Sequence, residues 1–379
     1  MSTATTEQAR SRSRVHCSLR ELVLYYLKLG SIGFGGPVAL LGYMQKDLVD
    51  TRKWVDQKDF NDGLALAQLC PGPIASQLSM YIGWLSRGPL GAFLTGAALA
   101  LPAYVLVLAL CWVYISYGEM PPLRRVFGGM SGAVLVVILF AAWRLFKKTV
   151  SKRRDLTAIA AVTLVLTIVA GSELFWVFVA AGVAATWTGR KLGPAAFFAF
   201  PGFIGQDAAT LKKMAWYFFE VGAMVFGSGM VIVPFLYQGV VAEYRWLNET
   251  QFQDALAVAM VTPGPAVITV AFMGFLISGL PGSLIAPAGI FGPCYIFTIL
   301  VAPVFHRIVG RNEAANDFVE GVSAAAVGAI GGAVLLIAWK TAWSPVTIGV
   351  FLGAFALIYR RTPDALVILL AGAAGYLLL

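Results

Sequence analysis

The chain has 379 residues, of which 59% are hydrophobic and only 12% charged, and its mean hydropathy is +0.79. A soluble domain carries roughly a quarter charged residues, so this composition excludes a water-soluble globular protein and indicates a multi-pass membrane protein. The formal net charge of +9 sits in short loops beside apolar segments, where positive residues set topology, so it does not argue for nucleic acid, and no nucleic-acid partner is expected.

Apolar runs over residues 90–117 and 127–145 approach or exceed the roughly 20 residues a bilayer-spanning helix needs. They do not alternate, which excludes a β-barrel. The fold class expected is therefore an all-α polytopic membrane protein. Cys17, Cys70, Cys111 and Cys294 are far apart and form no C-x-x-C pair, so neither a zinc site nor a disulfide framework is read.

In chain order, residues 1–17 are polar, with Arg10, Arg12 and Arg14. They lack the apolar core of a cleaved signal peptide and read as a disordered cytoplasmic tail. Residues 19–32 and 38–49 are two helical pieces of about a dozen residues, divided by Gly33-Phe34-Gly35-Gly36-Pro37. A charged loop follows (Lys46, Asp47, Asp50, Arg52, Lys53, Asp56, Lys58, Asp59). Then come pieces at 60–69 and 74–85, divided by Pro71-Gly72-Pro73. Each piece is shorter than one crossing. They are either two kinked spans or two re-entrant hairpins, and the hairpins place both the N-terminal arginines and the charged loop on the cytoplasmic side, as positive-inside placement favours. Longer helices are predicted at 90–117, 123–143, 156–170 and 174–188. The most basic loop, with Arg144, Lys147, Lys148, Lys152, Arg153 and Arg154, is expected to be cytoplasmic.

The second half repeats the pattern. Phe226-Gly227-Ser228-Gly229 and Pro263-Gly264-Pro265 follow the first pair of breaks at one offset of 192 residues. The same offset pairs Tyr25 with Tyr217, Gly30 with Gly222, Trp54 with Trp246, Asp62 with Asp254, Pro89 with Pro281 and Gly129 with Gly321. The units are read as a first repeat at 18–190, a linker at 191–210 and a second repeat at 211–379. Positive residues move to the opposite set of loops in the second half: Gly279 stands for Arg87, and Arg307, Arg311, Arg360 and Arg361 carry the charge. This indicates an inverted repeat, a common transporter plan. Inversion needs an odd number of crossings between equivalent points, whereas an even number is counted; residues 192–211 are the candidate for the missing one.

Helix breaks at corresponding positions of two halves point to a transporter binding site. A helix that starts inside the membrane presents unbonded N–H groups and the positive end of its dipole, which together suit an anion. The candidate substrate-binding residues are Gly35, Gly36, Pro37, Pro71, Gly72, Pro73, Gly227, Ser228, Gly229, Pro263, Gly264 and Pro265. Ser76, Gln77, Gln68, Thr262 and Thr269 can add neutral hydrogen bonds. Lys28 lies just before the first break and can hold an oxyanion, and its repeat partner Glu220 is the candidate for carrying a coupling proton. The competing reading makes these two a structural ion pair or interface groups. Asp62 and Asp254 are read as helix caps.

The paired Phe-Gly-Gly-Pro and Pro-Gly-Pro signatures, with Trp54 between them and a second copy ending Thr262-Pro263-Gly264-Pro265, resemble the chromate ion transporter family in its two-domain form. The resemblance implies a bacterial or archaeal inner-membrane protein that exports chromate by alternating access and confers chromate resistance. Sulfate, an isosteric dianion, is a further partner it implies. The coupling ion is expected to be a proton or another ion, the surrounding partner is the lipid bilayer, and a homodimer is kept open. At the second tip Gly227-Ser228-Gly229 replaces the family's Gly-Gly-Pro. A sulfate carrier or a passive anion channel is the alternative function. No cofactor, metal site or catalytic residue is expected: His16 and His306 are the two histidines, neither in metal-ligand spacing, and no phosphate-binding G-x-x-x-x-G-K-[ST] stretch occurs.

Overall fold

The computed structural model describes residues 15–34, 36–117, 120–151, 153–170, 180–181, 183–185, 210–227, 232–303, 313–340 and 344–379. Regular structure in them is almost wholly helical, as bilayer physics requires of non-barrel chains. Helix α1 (Leu19–Ile32) opens on a capping box: the Ser18 hydroxyl accepts from the Glu21 N–H, and the Glu21 carboxylate accepts from the Ser18 N–H. After the break comes α2 (Gly36–Met44), which continues as a π-helical turn, Gln45–Thr51. The outer ends of this pair meet. Val15 bridges Val55 in antiparallel fashion, the His16 N–H donates to the Trp54 carbonyl at 2.8 Å, and Tyr25 packs edge-on against Trp54. Helices α1 and α2, with its π-helical turn, therefore form a hairpin whose outer ends lie together.

The second hairpin joins α3 (Gln57–Leu69), through the short strand β1 (Gly72–Pro73), to α4 (Ile74–Tyr117). Helix α4 is two helices merged across a sharp kink at Arg87 and Gly88. Its arm before the kink folds back on α3, where Gly63 lets the Tyr81 ring approach the backbone. Long helix α5 (Pro121–Leu145) and α6 (Arg154–Ala170) follow.

The second half runs α7 (Thr210–Met224), β2 (Phe226–Gly227), α8 (Ile232–Leu236) with its π-helical turn Tyr237–Glu243, and α9 (Glu249–Val261). A 3₁₀ turn, Ala266–Ile268, leads into α10 (Thr269–Val301), followed by α11 (Glu313–Lys340), α12 (Pro345–Tyr359) and α13 (Asp364–Leu378). The π-helical turns fall on equivalent residues, Lys53 and Arg245 both take positive φ (51° and 50°), and Trp54 and Trp246 donate to Leu48 and Val240 at the same 2.8 Å. The duplication is thus present in hydrogen bonds as well as in letters.

The register nevertheless slips by one residue beyond the second break. The kink of α10 lies at Ser278 and Gly279, with φ values of −144° and 63° against −146° and 58° at Arg87 and Gly88. The counterpart of Arg87 is therefore Ser278 rather than Gly279, and Pro281 matches Leu90 rather than Pro89. The cause is the 3₁₀ turn, whose three residues rise about 2.0 Å each and so cover the same length as four α-helical residues at about 1.5 Å.

The arms of α4 and α10 beyond their kinks lie side by side and antiparallel. Tyr295 donates to the Pro89 carbonyl (3.2 Å) and stacks edge-on with Phe93, while Tyr104 hydrogen-bonds Ser283 at 3.0 Å. Both helices are long and apolar enough to span a membrane. Equivalent antiparallel spans are related by a two-fold axis lying across them, the geometry of an inverted repeat. The halves also interlock. Helix α5 packs against α12 and α13 of the other half, and α11 packs against α6. Gly129 meets the Gly375 backbone, Gly332 receives Thr167, and Arg153 binds Asp317 (2.6 Å) and Glu320 (3.0 Å). Arg153 lies outside the spans, and its guanidinium pKa is raised, chiefly by its hydrogen bond to Asp155. Of the candidate extra crossing, residues 192–209 lie outside the described residues and 210–211 begin α7.

Candidate functional site

The four breaks pair two by two across the seam between the halves. Strand β1 pairs in parallel with β2, Gly72 opposite Phe226 and Pro73 opposite Gly227. The Gly72 N–H donates to the Val225 carbonyl (2.5 Å), and reciprocally the Gly264 N–H donates to the Gly33 carbonyl (3.0 Å). These two bonds are repeat equivalents. The Pro-Gly-Pro tip of each half is therefore held by the other half's first hairpin.

Each tip is wedged between that hairpin and the other half's kinked helix. A Cβ on Gly72 would lie 2.7 Å from Cys294 Sγ, and one on Gly264 would lie 3.2 Å from the Ala103 Cβ and 3.3 Å from the Gly30 carbonyl oxygen. Gly72 and Gly264 also have φ of +140° and +90°, where a side chain costs about 1–3 kcal/mol. Glycine is required here on both counts. Proline on either side removes N–H groups that these extended turns could not pair.

The helices beyond the tips start at Ile74 and, as a 3₁₀ turn, at Ala266. Their free N–H groups and dipoles face the seam. At the first tip the Gln77 side chain donates to the Pro71 carbonyl at 2.7 Å and so ties the new helix back over the break. Its Oε1 and the Ser76 hydroxyl have no hydrogen-bond partner although the residues are 0% and 1% exposed. Buried orphan groups of this kind are costly and call for an explanation. The second tip differs: Thr262 and Thr269 spend their hydroxyls on the Ala259 and Ala255 carbonyls. The cavity beside it, lined by Ile232, Val233, Leu256, Ala259, Met260, Ala266 and Thr269, has a volume of about 10 Å³, room for one water.

Of the residues singled out in the sequence, Gly72 and Pro73 come together with Gly227 in β2, and Gly264 of the other tip with Gly33; Pro71, Pro263 and Pro265 flank these contacts. Gly36 and Pro37 begin α2. Gly35, Ser228 and Gly229 lie outside the described residues. Gln68 and Lys28 are exposed, Lys28 on α1 little more than one turn before Gly33. Glu220 is half-buried on α7 and accepts a hydrogen bond from Trp216. No ion pair joins Lys28 to Glu220 among the described residues.

Asp62 and Asp254 are not caps. The N-cap positions are Asp56 and Asn248, the latter in a full capping box with Gln251. Asp62 and Asp254 sit in the sixth position of their helices, and Asp254 accepts a 2.8 Å hydrogen bond from Tyr114 of the opposite half. The misreading arose because the first three residues of both helices are polar or charged, which sets the apparent start of each apolar segment at Phe60 and Phe252. Sequence spacing held no signal for this bond, whose partners are 140 residues apart, nor for the reciprocal pairing of the breaks.

A family model described as "Chromate transporter" matches residues 20–186 and again 212–376. The "Chromate transport protein" of Cupriavidus metallidurans is 45% identical over 370 residues, covering 94% of this chain and 92% of that protein. The "Probable chromate transport protein" of Synechococcus elongatus is 41% identical over 380 residues, covering 94% and 95%. The "Chromate transport protein" of Pseudomonas aeruginosa is 29% identical over 386 residues, covering 95% and 92%. No solved structure matches the chain.

Proposed function

The chain belongs to the chromate transporter family, and on that premise we propose that it exports chromate across the bacterial or archaeal inner membrane by alternating access, driven by a proton or another coupling ion. The observation that carries this reading is the reciprocal pairing of each Pro-Gly-Pro tip with the first hairpin of the other half. It sets a helix start at the seam in each half, with the unpartnered Ser76 hydroxyl beside the first. These are hydrogen-bond donors and positive dipole ends, the chemistry that takes up a tetrahedral dianion. Sulfate has the same charge and shape and is the natural competitor.

Alternating access is favoured over a channel by two features. The kinked helices that follow the hairpins run antiparallel, so on this reading the hairpins of the two halves are re-entrant from opposite faces. The cavity at the second tip holds one water rather than a dianion, so passage requires the tips to part. In everted vesicles a proton gradient is expected to drive chromate inward against its concentration gradient. Movement only down that gradient would leave the channel reading standing.

Lys28 is the cationic side chain nearest in sequence to the first break. Lys28→Gln is expected to lower chromate uptake about tenfold, the worth of one charge-assisted hydrogen bond, with the amount of protein in the membrane unchanged. Unaltered uptake at equal abundance would remove Lys28 from the site.

A further inference from the structure

Asp254 lies on α9, between the outer end of the second half's hairpin and its Pro-Gly-Pro tip. It is only 5% exposed. The Tyr114 hydroxyl, from the kinked helix of the first half, donates to its Oδ2 at 2.8 Å. The Tyr114 ring is itself packed edge-on between Phe127 of α5 and Phe272 of α10, with centroids at 5.3 and 5.2 Å. This one pair therefore joins α4, α5, α9 and α10 inside an apolar surround.

Cys111, one turn before Tyr114 on α4, is a buried free thiol; other titratable groups on the surrounding elements are engaged or exposed. Tyr237 of the adjoining π-helical turn donates to Glu249, and Tyr104 of α4 pairs with Ser283. Asp364 of α13 is held by Arg144, Arg124 and Arg125 at the start of α5 and Tyr376 of α13 are exposed, and Cys294 of α10 is packed against Met80. No cation forms an ion pair with Asp254 among the described residues. Withdrawing an ionised carboxylate from water without a cation is costly, and the charge is relieved either by pairing or by a proton. The sequence offers no second such pair: the position equivalent to Tyr114, one register step short of the 192 offset, is Phe305, which has no hydroxyl.

We propose that the Asp254 carboxyl, held by Tyr114 across the seam, is the group that takes up and gives back the coupling proton. The inference rests on the coupled-transport reading above and moves the coupling role from Glu220 to Asp254. When a proton arrives, an O–H bond forms on the Asp254 carboxyl, and it breaks again when the proton leaves to the other side. Tyr114 keeps its own proton throughout. Its hydroxyl donates to the carboxylate and accepts from the acid, so the contact between the halves survives both states while its polarity reverses.

The test uses the full chain in proteoliposomes and two readouts, chromate accumulation driven by an imposed proton gradient and exchange of labelled for unlabelled chromate without a gradient. Asp254→Asn is expected to lose gradient-driven accumulation by about tenfold or more, in the range of ordinary coupling free energies, while exchange continues. Asp254→Glu is expected to recover part of the accumulation. Undiminished accumulation in Asp254→Asn would overturn the proposal, and so would loss of exchange together with accumulation, which would make the carboxyl a binding or structural group. A wild-type protein that exchanges chromate but accumulates none under the gradient would instead refute proton-coupled transport.

Discussion

Replacing Gly72 with valine is expected to abolish chromate transport while the chain still inserts in the membrane. Two effects act at the same atom. At φ +140° a β-branched residue is strained by about 1–3 kcal/mol. Its Cβ would also stand 2.7 Å from Cys294 Sγ and 2.9 Å from the Gln77 Cδ, an overpacking that typically adds about 1–3 kcal/mol. The least costly relief is for the tip to withdraw from Val225, which breaks the bond between the halves and displaces Gln77 from the Pro71 carbonyl. Gly264→Val should act alike at its repeat-equivalent place, against Ala103 and the Gly30 carbonyl. The control separates packing from ligand approach. Gly72→Ala combined with Cys294→Gly removes the clash with the sulfur and keeps the methyl group facing the seam. If that pair transports normally, Gly72 serves packing alone and the site assignment at this tip is lost.

The second large effect falls on folding. Gly83 and Gly91 touch backbone to backbone across the kink of α4, and a Cβ on either would overlap the other's carbonyl oxygen. Gly274 and Gly282 repeat the contact in α10. Backbone cannot yield as a side-chain tip can, so Gly91→Leu is expected to force the two arms apart and remove most of the protein from the membrane. Gly349→Leu is the matched comparison. Gly349 has open space around it in a groove of about 450 Å³ between α12 and α13, and leucine there should leave abundance and transport unchanged. Equal abundance for Gly91→Leu and wild type by membrane immunoblot would contradict the close crossing.

Much of this architecture was legible in the sequence for identifiable reasons. Gly and Pro inside apolar segments announce breaks wherever they occur, and a constant offset of 192 between Pro71 and Pro263, Trp54 and Trp246 announces duplication without any knowledge of packing. Charge redistribution pointed to inversion, and the antiparallel contact of Phe93 with Tyr295 gives it a geometry. What failed was what depends on contact across the seam. A single 3₁₀ turn at Ala266–Ile268 moved the register by one residue and undid the pairing of Pro89 with Pro281. Asp254 carried no mark that distinguished a cap from a buried carboxyl, because its partner is brought up by a different half of the chain. At the breaks the reverse held: Ser76 and Gln77 were recognisable as polar residues beside a tip, but only the packing left Ser76 Oγ and Gln77 Oε1 without partners.

On the proposed reading, the Pro-Gly-Pro tips, each held by the other half's first hairpin, bind the oxyanion jointly. Equilibrium binding of labelled chromate to the purified protein, with sulfate as competitor, tests it most directly. Saturable binding of one chromate per chain is expected, displaced by sulfate and lost in both Gly72→Val and Gly264→Val, since either substitution opens the seam between the halves. Binding that persists undiminished in the two variants would contradict it.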